Sequence, residues 1–224
     1  MRSKCAFGEV EGARRSQPVS QPKETLNAPP LQELTLCKDI VRRQMNRSGN
    51  LLLGALEPLS DTDFFAPGAS GVSPAWTVGH LACVTDLFSG WISESGCRLP
   101  GEAHKIFNST DIVGMDGNPV PKADLVDPKV WSARSILLMF RQAQVRAFAD
   151  LESFDAQRWQ ERPPRKIPDD SLPNLGAIWE NLAVHTYWHM GELAGSVSRY
   201  RGTTSMNTLL HYFYDGVLQE RIQG

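Results

Sequence analysis

Cysteine and histidine are scarce in this chain, four and five in 224 residues. The cysteines Cys5, Cys37, Cys83 and Cys97 form no CxxC pair. That argues against a disulfide framework and against a cysteine-rich structural zinc site. Each thiol reads instead as a small apolar residue or a surface group, and a reducing, cytoplasmic setting fits best. Long apolar runs are missing as well. No stretch approaches the roughly 18 residues that span a bilayer, and the start lacks the apolar segment of a secretory signal, so no membrane partner is expected. Charge of one sign is not concentrated either. The 23 basic and 25 acidic residues leave a formal net charge of −2 with no long run of either, which gives a nucleic-acid surface no support. Strand-like alternation, internal repeats and low-complexity domains are also absent, so the 41% hydrophobic content is read at helical period, as an all-α chain. This length can bury one sizeable core, and one domain plus a tail is expected.

The segments then fall in order. Residues 1–30 mix Arg, Ser, Gln, Glu and prolines without apolar periodicity and read as a disordered N-terminal extension, with the domain occupying residues 31–224. Leu34, Cys37, Val41 and the Leu51-Leu52-Leu53 run predict a first helix from Leu31 to about Leu56, closed by Glu57-Pro58, with Gly49 as its weak point. After a turn-rich loop over residues 59–71, Ser73-Pro74 signals a helix start, Ser as N-cap and Pro at the first helical position. A second helix is predicted from there to about Gly96. The connection from Cys97 to Val126, rich in Gly, Pro, Asp and Asn, is long enough to be a lid or pocket wall. Asp127-Pro128 repeats the cap-then-proline signature and predicts a third helix to about Phe154. A linker from Glu161 to Pro173 leads to a fourth helix from about Asn174, ended by Gly202 as a left-handed cap. Met206 to Ile222 reads as an accessory helix.

The fourth helix carries the chemistry. Ile178, Leu182, His185, His189, Glu192 and Ser196 advance by three or four residues, the stripe that a bundle helix buries. Its middle is two imidazoles and a carboxylate, groups that a core expels unless something satisfies them. His185 and His189, four apart, project side by side and can reach one metal ion. In the second helix His80 stands four after Trp76 and four before Val84, so it points at the same core as that stripe. One His from the second helix and a pair from the fourth can converge on a bundle-core metal that keeps an open position, the pattern of a catalytic site. HxxxH pairs also occur as helix-surface or hydrogen-bonded core residues, and spacing alone leaves both readings open. Glu192 has the phase to act as an acceptor for a ligand histidine, as a base or as a ligand, and equally that of a solvent-facing residue. Gly191 interrupts good helix formers at a cost of about 1 kcal/mol, which suggests a packing reason such as the close approach of another helix. His104 and His211 have no partner at ligand spacing and read as surface or capping residues.

PAWTVGHL (Pro74 to Leu81) and VHTYWHMGEL (Val184 to Leu193) resemble the tryptophan-then-His and HxxxHxGE motifs of the DinB-like, or YfiT-type, superfamily. The resemblance covers about Leu31 to Gly202. It implies a four-helix bundle with long crossover connections, His80, His185 and His189 as metal ligands, and zinc or nickel rather than iron. It further implies a small-molecule substrate, frequent homodimers and, in characterised branches, thiol-dependent transferase activity with a low-molecular-weight thiol. Three neutral imidazoles would leave such an ion positively charged and open, which lowers the pKa of a bound water or thiol. The expected function is therefore a metal-dependent S-transferase or small-molecule hydrolase. The alternative is a metal- or ligand-binding bundle without turnover. A third reading, an iron oxygenase like the bundle domain of ergothioneine-forming sulfoxide synthases, requires a large second domain not found in these residues.

Overall fold

A computed structural model describes residues 31–56, 59–68, 72–108, 126–163 and 172–201, with side chains described at 32–56 and up to 193 in the last segment. Seven helices follow in order: α1 (Leu31–Leu56), α2 (Asp61–Phe65), α3 (Pro74–Ile92), α4 (Gly101–Phe107), α5 (Ala133–Glu152), α6 (Ala156–Gln160) and α7 (Leu175–Arg201). The described residues form no strand, as helical periodicity requires. Among the long helices the principal pairings are α3 with α5, α1 with α7, α3 with α7, and α1 with α5. Each long helix therefore touches two others, and the connections α1 to α3 and α5 to α7 pass between helices that are not principal partners.

Two apolar clusters hold these pairings. In one, Trp76, Val78, Leu81 and Ala82 of α3 meet Ile136, Met139, Phe140 and Ala143 of α5, with Phe107 of α4 filling the side. In the other, Leu34, Val41 and Met45 of α1 meet Ile178, Trp179, Leu182 and Ala183 of α7, with Phe154 edge-on to Trp179. Each large side chain removed from water here contributes about 1.5–3 kcal/mol, so the stripes of the long helices account for most of the burial. Polar anchors tie the connections down. The Arg98 guanidinium donates to both oxygens of Asp150, at 2.7 and 3.0 Å, fastening the segment after α3 to α5. Arg158 stacks on Phe154 and donates to the Ile92 carbonyl at 2.6 Å, satisfying a terminal carbonyl of α3.

Several boundaries differ from expectation for local reasons. Ser73 caps α3 through its Oγ, which accepts from the Trp76 amide, and Pro74 follows it. The helix ends at Ile92 rather than near Gly96, because Glu94 and Gly96 take positive φ values of 60° and 76°. Asp127-Pro128 opens only a turn. Val130 and Trp131 bond back to the Asp127 carbonyl, and Ser132 supplies the cap of α5 through Ser135. Asn174 caps α7 by accepting from Ala177, as predicted. The two loops predicted after α1 and α3 each contain a short helix, α2 and α4. Gly49 is buried against the Gln144 side chain, which donates to the Met45 carbonyl, so it serves a close contact. A Cβ at Gly191 would meet nothing within 4 Å among the described residues, so these show no close approach there. The expected extension at residues 1–30, Glu57-Pro58, residues 109–125 of the long connection, Gly202, the Met206–Ile222 helix and His211 lie outside the described residues.

Candidate metal centre

Gly79 explains how the second-helix histidine acquires its support. A Cβ at this position would run into the Phe107 ring, so glycine lets α4 lie directly on α3. The last carbonyls of α4 cannot be satisfied within the helix. Trp76 Nε1 donates to the Ile106 carbonyl at 3.3 Å, and His80 Nδ1 donates to the Phe107 carbonyl at 2.8 Å. Trp76 also stacks on the His80 ring, 4.8 Å away and 10° from parallel. With Nδ1 carrying the proton, Nε2 is the nitrogen with the lone pair. Anchoring one ring nitrogen to orient the other is how ligand histidines are held.

On α7, His189 Nδ1 donates to Glu192 Oε2 at 2.7 Å, which leaves its Nε2 as the acceptor. That Nε2 lies 3.0 Å from His185 Nε2, a contact that closes when His185 supplies the proton. His80 meets the other two rings edge-on, with centroids 5.5 Å from His185 and 5.0 Å from His189. One ring nitrogen from each histidine lies within 4.8 Å of the others. Donors around one zinc-sized ion sit about 3.3–3.5 Å apart, so small side-chain adjustments suffice. The three histidines therefore come together as expected, and their donor chemistry fits a borderline divalent ion such as zinc or nickel.

Electrostatics favour a neutral imidazole at His185. Burial, then the neighbouring His189 and His80, push His185 down from 6.5 to about 3. At neutral pH it is uncharged, the form that ligates a metal. Glu192 touches the site from behind, on the outer nitrogen of His189, with its side chain 41% exposed. Of the roles open to it, this geometry favours the acceptor that orients a ligand histidine.

Beside His80 and His185 lies a cavity of about 210 Å³, its walls formed by Val84, Phe88, Ile178 and Leu182 and completed by Leu172 and Asn181. The described part of the long connection, residues 97–108, backs His80 instead of walling this cavity. The linker before α7 contributes a wall residue, Leu172. His104 is not a surface residue. Its side chain is 12% exposed and its Nε2 donates to Asp86 Oδ2 at 3.1 Å. Asp86, 2% exposed, also accepts from the Arg98 and Leu99 amides, each at 2.9 Å. Burial alone would raise the Asp86 carboxyl; the His104 bond and the two amides outweigh it and hold the group below 3.8. Reasoning from sequence missed this cluster. The only available signal was a carboxylate in the otherwise apolar second helix.

No helix among the described residues is long and apolar enough to cross a membrane. No curated protein and no solved structure matches the chain. A family model described as the DinB superfamily matches residues 44–193, a span that includes every element of the centre: His80, the α4 support, His185, His189 and Glu192. The chain belongs to the DinB superfamily.

Proposed function

We propose that this chain is a metal-dependent enzyme acting on small molecules, a thiol-dependent S-transferase or a hydrolase, with His80, His185 and His189 holding zinc or nickel. The observation that carries the reading is the cavity lined by two of the three histidines, because a closed structural site would have packed side chains there. A divalent ion held by neutral imidazoles supplies positive charge that makes a thiol or water a nucleophile near neutral pH. The chain's own residues do the rest. Phe107 and Glu192 keep the protons of His80 and His189 on Nδ1, so both Nε2 atoms present lone pairs. Val84, Phe88 and Leu182 receive the hydrocarbon part of an electrophile and exclude water. Asn181, on the exposed edge of the same cavity, offers an amide to orient a carbonyl or leaving group. We propose homodimerisation and a cytoplasmic setting on the family resemblance alone.

The test is a screen of low-molecular-weight thiols against small electrophiles, with thiol-free reactions to detect hydrolysis. It compares the parent protein, chelator-treated protein and the His189→Ala variant. The reading expects turnover that chelation abolishes and metal restores, with none in the variant. Turnover that persists equally in all three would refute it, and a metal-loaded protein inert across the panel would favour the binding module.

A further inference from the structure

Cys97, seven residues before His104 in the turn that follows α3, joins the Asp86–His104 pair. One potential ligand atom from each of Asp86, Cys97 and His104 lies within 4.8 Å of the other two. We propose that these three residues form a second divalent-metal site, of the zinc type, beside α4. It shares no residue with the three histidines and does not depend on their binding a metal.

Four features support it. The donors are sulfur, nitrogen and carboxylate oxygen, the set that zinc takes from Cys, His and Asp. The His104 ring and the Asp86 carboxylate are already in contact, with Nε2 and Oδ2 3.1 Å apart. The carboxylate can also bind without giving up its backbone bonds. The Arg98 and Leu99 amides and His104 all address Oδ2, leaving Oδ1 for the ion. Asn108 supports the required change at His104. Its Nδ2 donates to His104 Nδ1 at 3.0 Å, while its buried Oδ1 has no hydrogen-bond partner among the described residues. A half-turn of the amide places Oδ1 on Nδ1 and stabilises the tautomer that frees Nε2 for an ion. The imidazole proton moves from Nε2 to Nδ1, and the Cys97 thiol proton leaves to solvent, so binding releases one proton.

The experiment is titration of chelator-stripped, fully reduced full-length protein with Co²⁺, followed by absorbance. A thiolate ligand adds an intense near-ultraviolet charge-transfer band, which an all-imidazole site cannot produce. The expected result is a band that saturates at one equivalent in His189→Ala and by two equivalents in the parent, where the three histidines take up the other, and that is lost in Cys97→Ser and in His104→Gln. If the three-histidine reading fails but this one holds, parent and His189→Ala give the same titration with the band present. No band in the parent, or a band unchanged in Cys97→Ser, would overturn the proposal. His104→Gln, which leaves every thiol in place, decides the case if Cys97→Ser does not fold.

Discussion

At His80, His185 and His189 three imidazoles face one another, two of them anchored from behind to Phe107 and Glu192. At Asp86 a single carboxylate oxygen collects three donors from the loop and from α4. Both clusters draw on α3, through His80 and Asp86 six residues apart, yet they treat buried polarity differently. The histidine trio brings one nitrogen of each ring within 4.8 Å of the others beside a cavity, with His80 and His189 held from behind. The Asp86 carboxylate is satisfied internally and anchors the chain with or without an ion. Burying polar groups can thus serve binding in one place and architecture in another, and the direction of the hydrogen bonds distinguishes them.

The sharpest way to break this comparison is His189→Ala. Two imidazoles hold a borderline ion far less well than three, so the loss in affinity for the trio's ion should exceed about a hundredfold, as read by competition against a chromophoric chelator. The thermal midpoint of the metal-free variant should remain close to that of the parent, because the deleted ring lies in an already polar centre.

Asp86→Ala should do the reverse. It leaves two backbone amides and His104 without an acceptor, which costs about 2–5 kcal/mol in denaturant unfolding, while the three-histidine ligands remain in place. A loss below about 0.5 kcal/mol would mean that the cluster is not an architectural anchor.

Glu192→Gln should have a smaller effect. It keeps the shape and an acceptor oxygen but removes the charge that holds His189, and loss of such a partner typically weakens metal binding by about 10–100-fold. Unchanged affinity would reduce Glu192 to a surface residue.

The mildest contrast is in pH. His185 in the metal-free fold is held at about 3, below its ordinary 6.5. The unfolded chain therefore takes up this proton first, and stability falls as pH drops below 6.5 and continues falling to about 3. The slope is at most about 1.4 kcal/mol per pH unit. Asp86 is held below 3.8, so its contribution is fully present above that value and is lost only at lower pH. Denaturant unfolding of metal-free protein at pH 7 and pH 5 should show the His185 loss and no contribution from Asp86. The His185→Gln variant should lose that part of the slope.

How much was legible in sequence follows the same division. His185 and His189 stood out because polar residues occupied a stripe whose period demanded apolar ones, and His80 because it shared the phase of Trp76 and Val84. Long helices register in that way. The Asp86 cluster did not, since its partners come from a turn and a helix of seven residues, too short to show a period. The two bonds to the ends of α4 likewise depend on Gly79 admitting the Phe107 ring, a tertiary contact without a local signature. Asp127-Pro128 misled because a cap signature is local too, and Ser132 a few residues on supplied a competing one.

We expect the three histidines to bind one ion. The most direct measurement is a crystal structure of the zinc-loaded protein with anomalous data collected on both sides of the zinc edge. We predict an edge-dependent peak bounded by His80, His185 and His189, with one nitrogen of each about 2.0–2.1 Å from it. A zinc-loaded crystal with no such peak among these rings, or with His80 turned away from it, would contradict this.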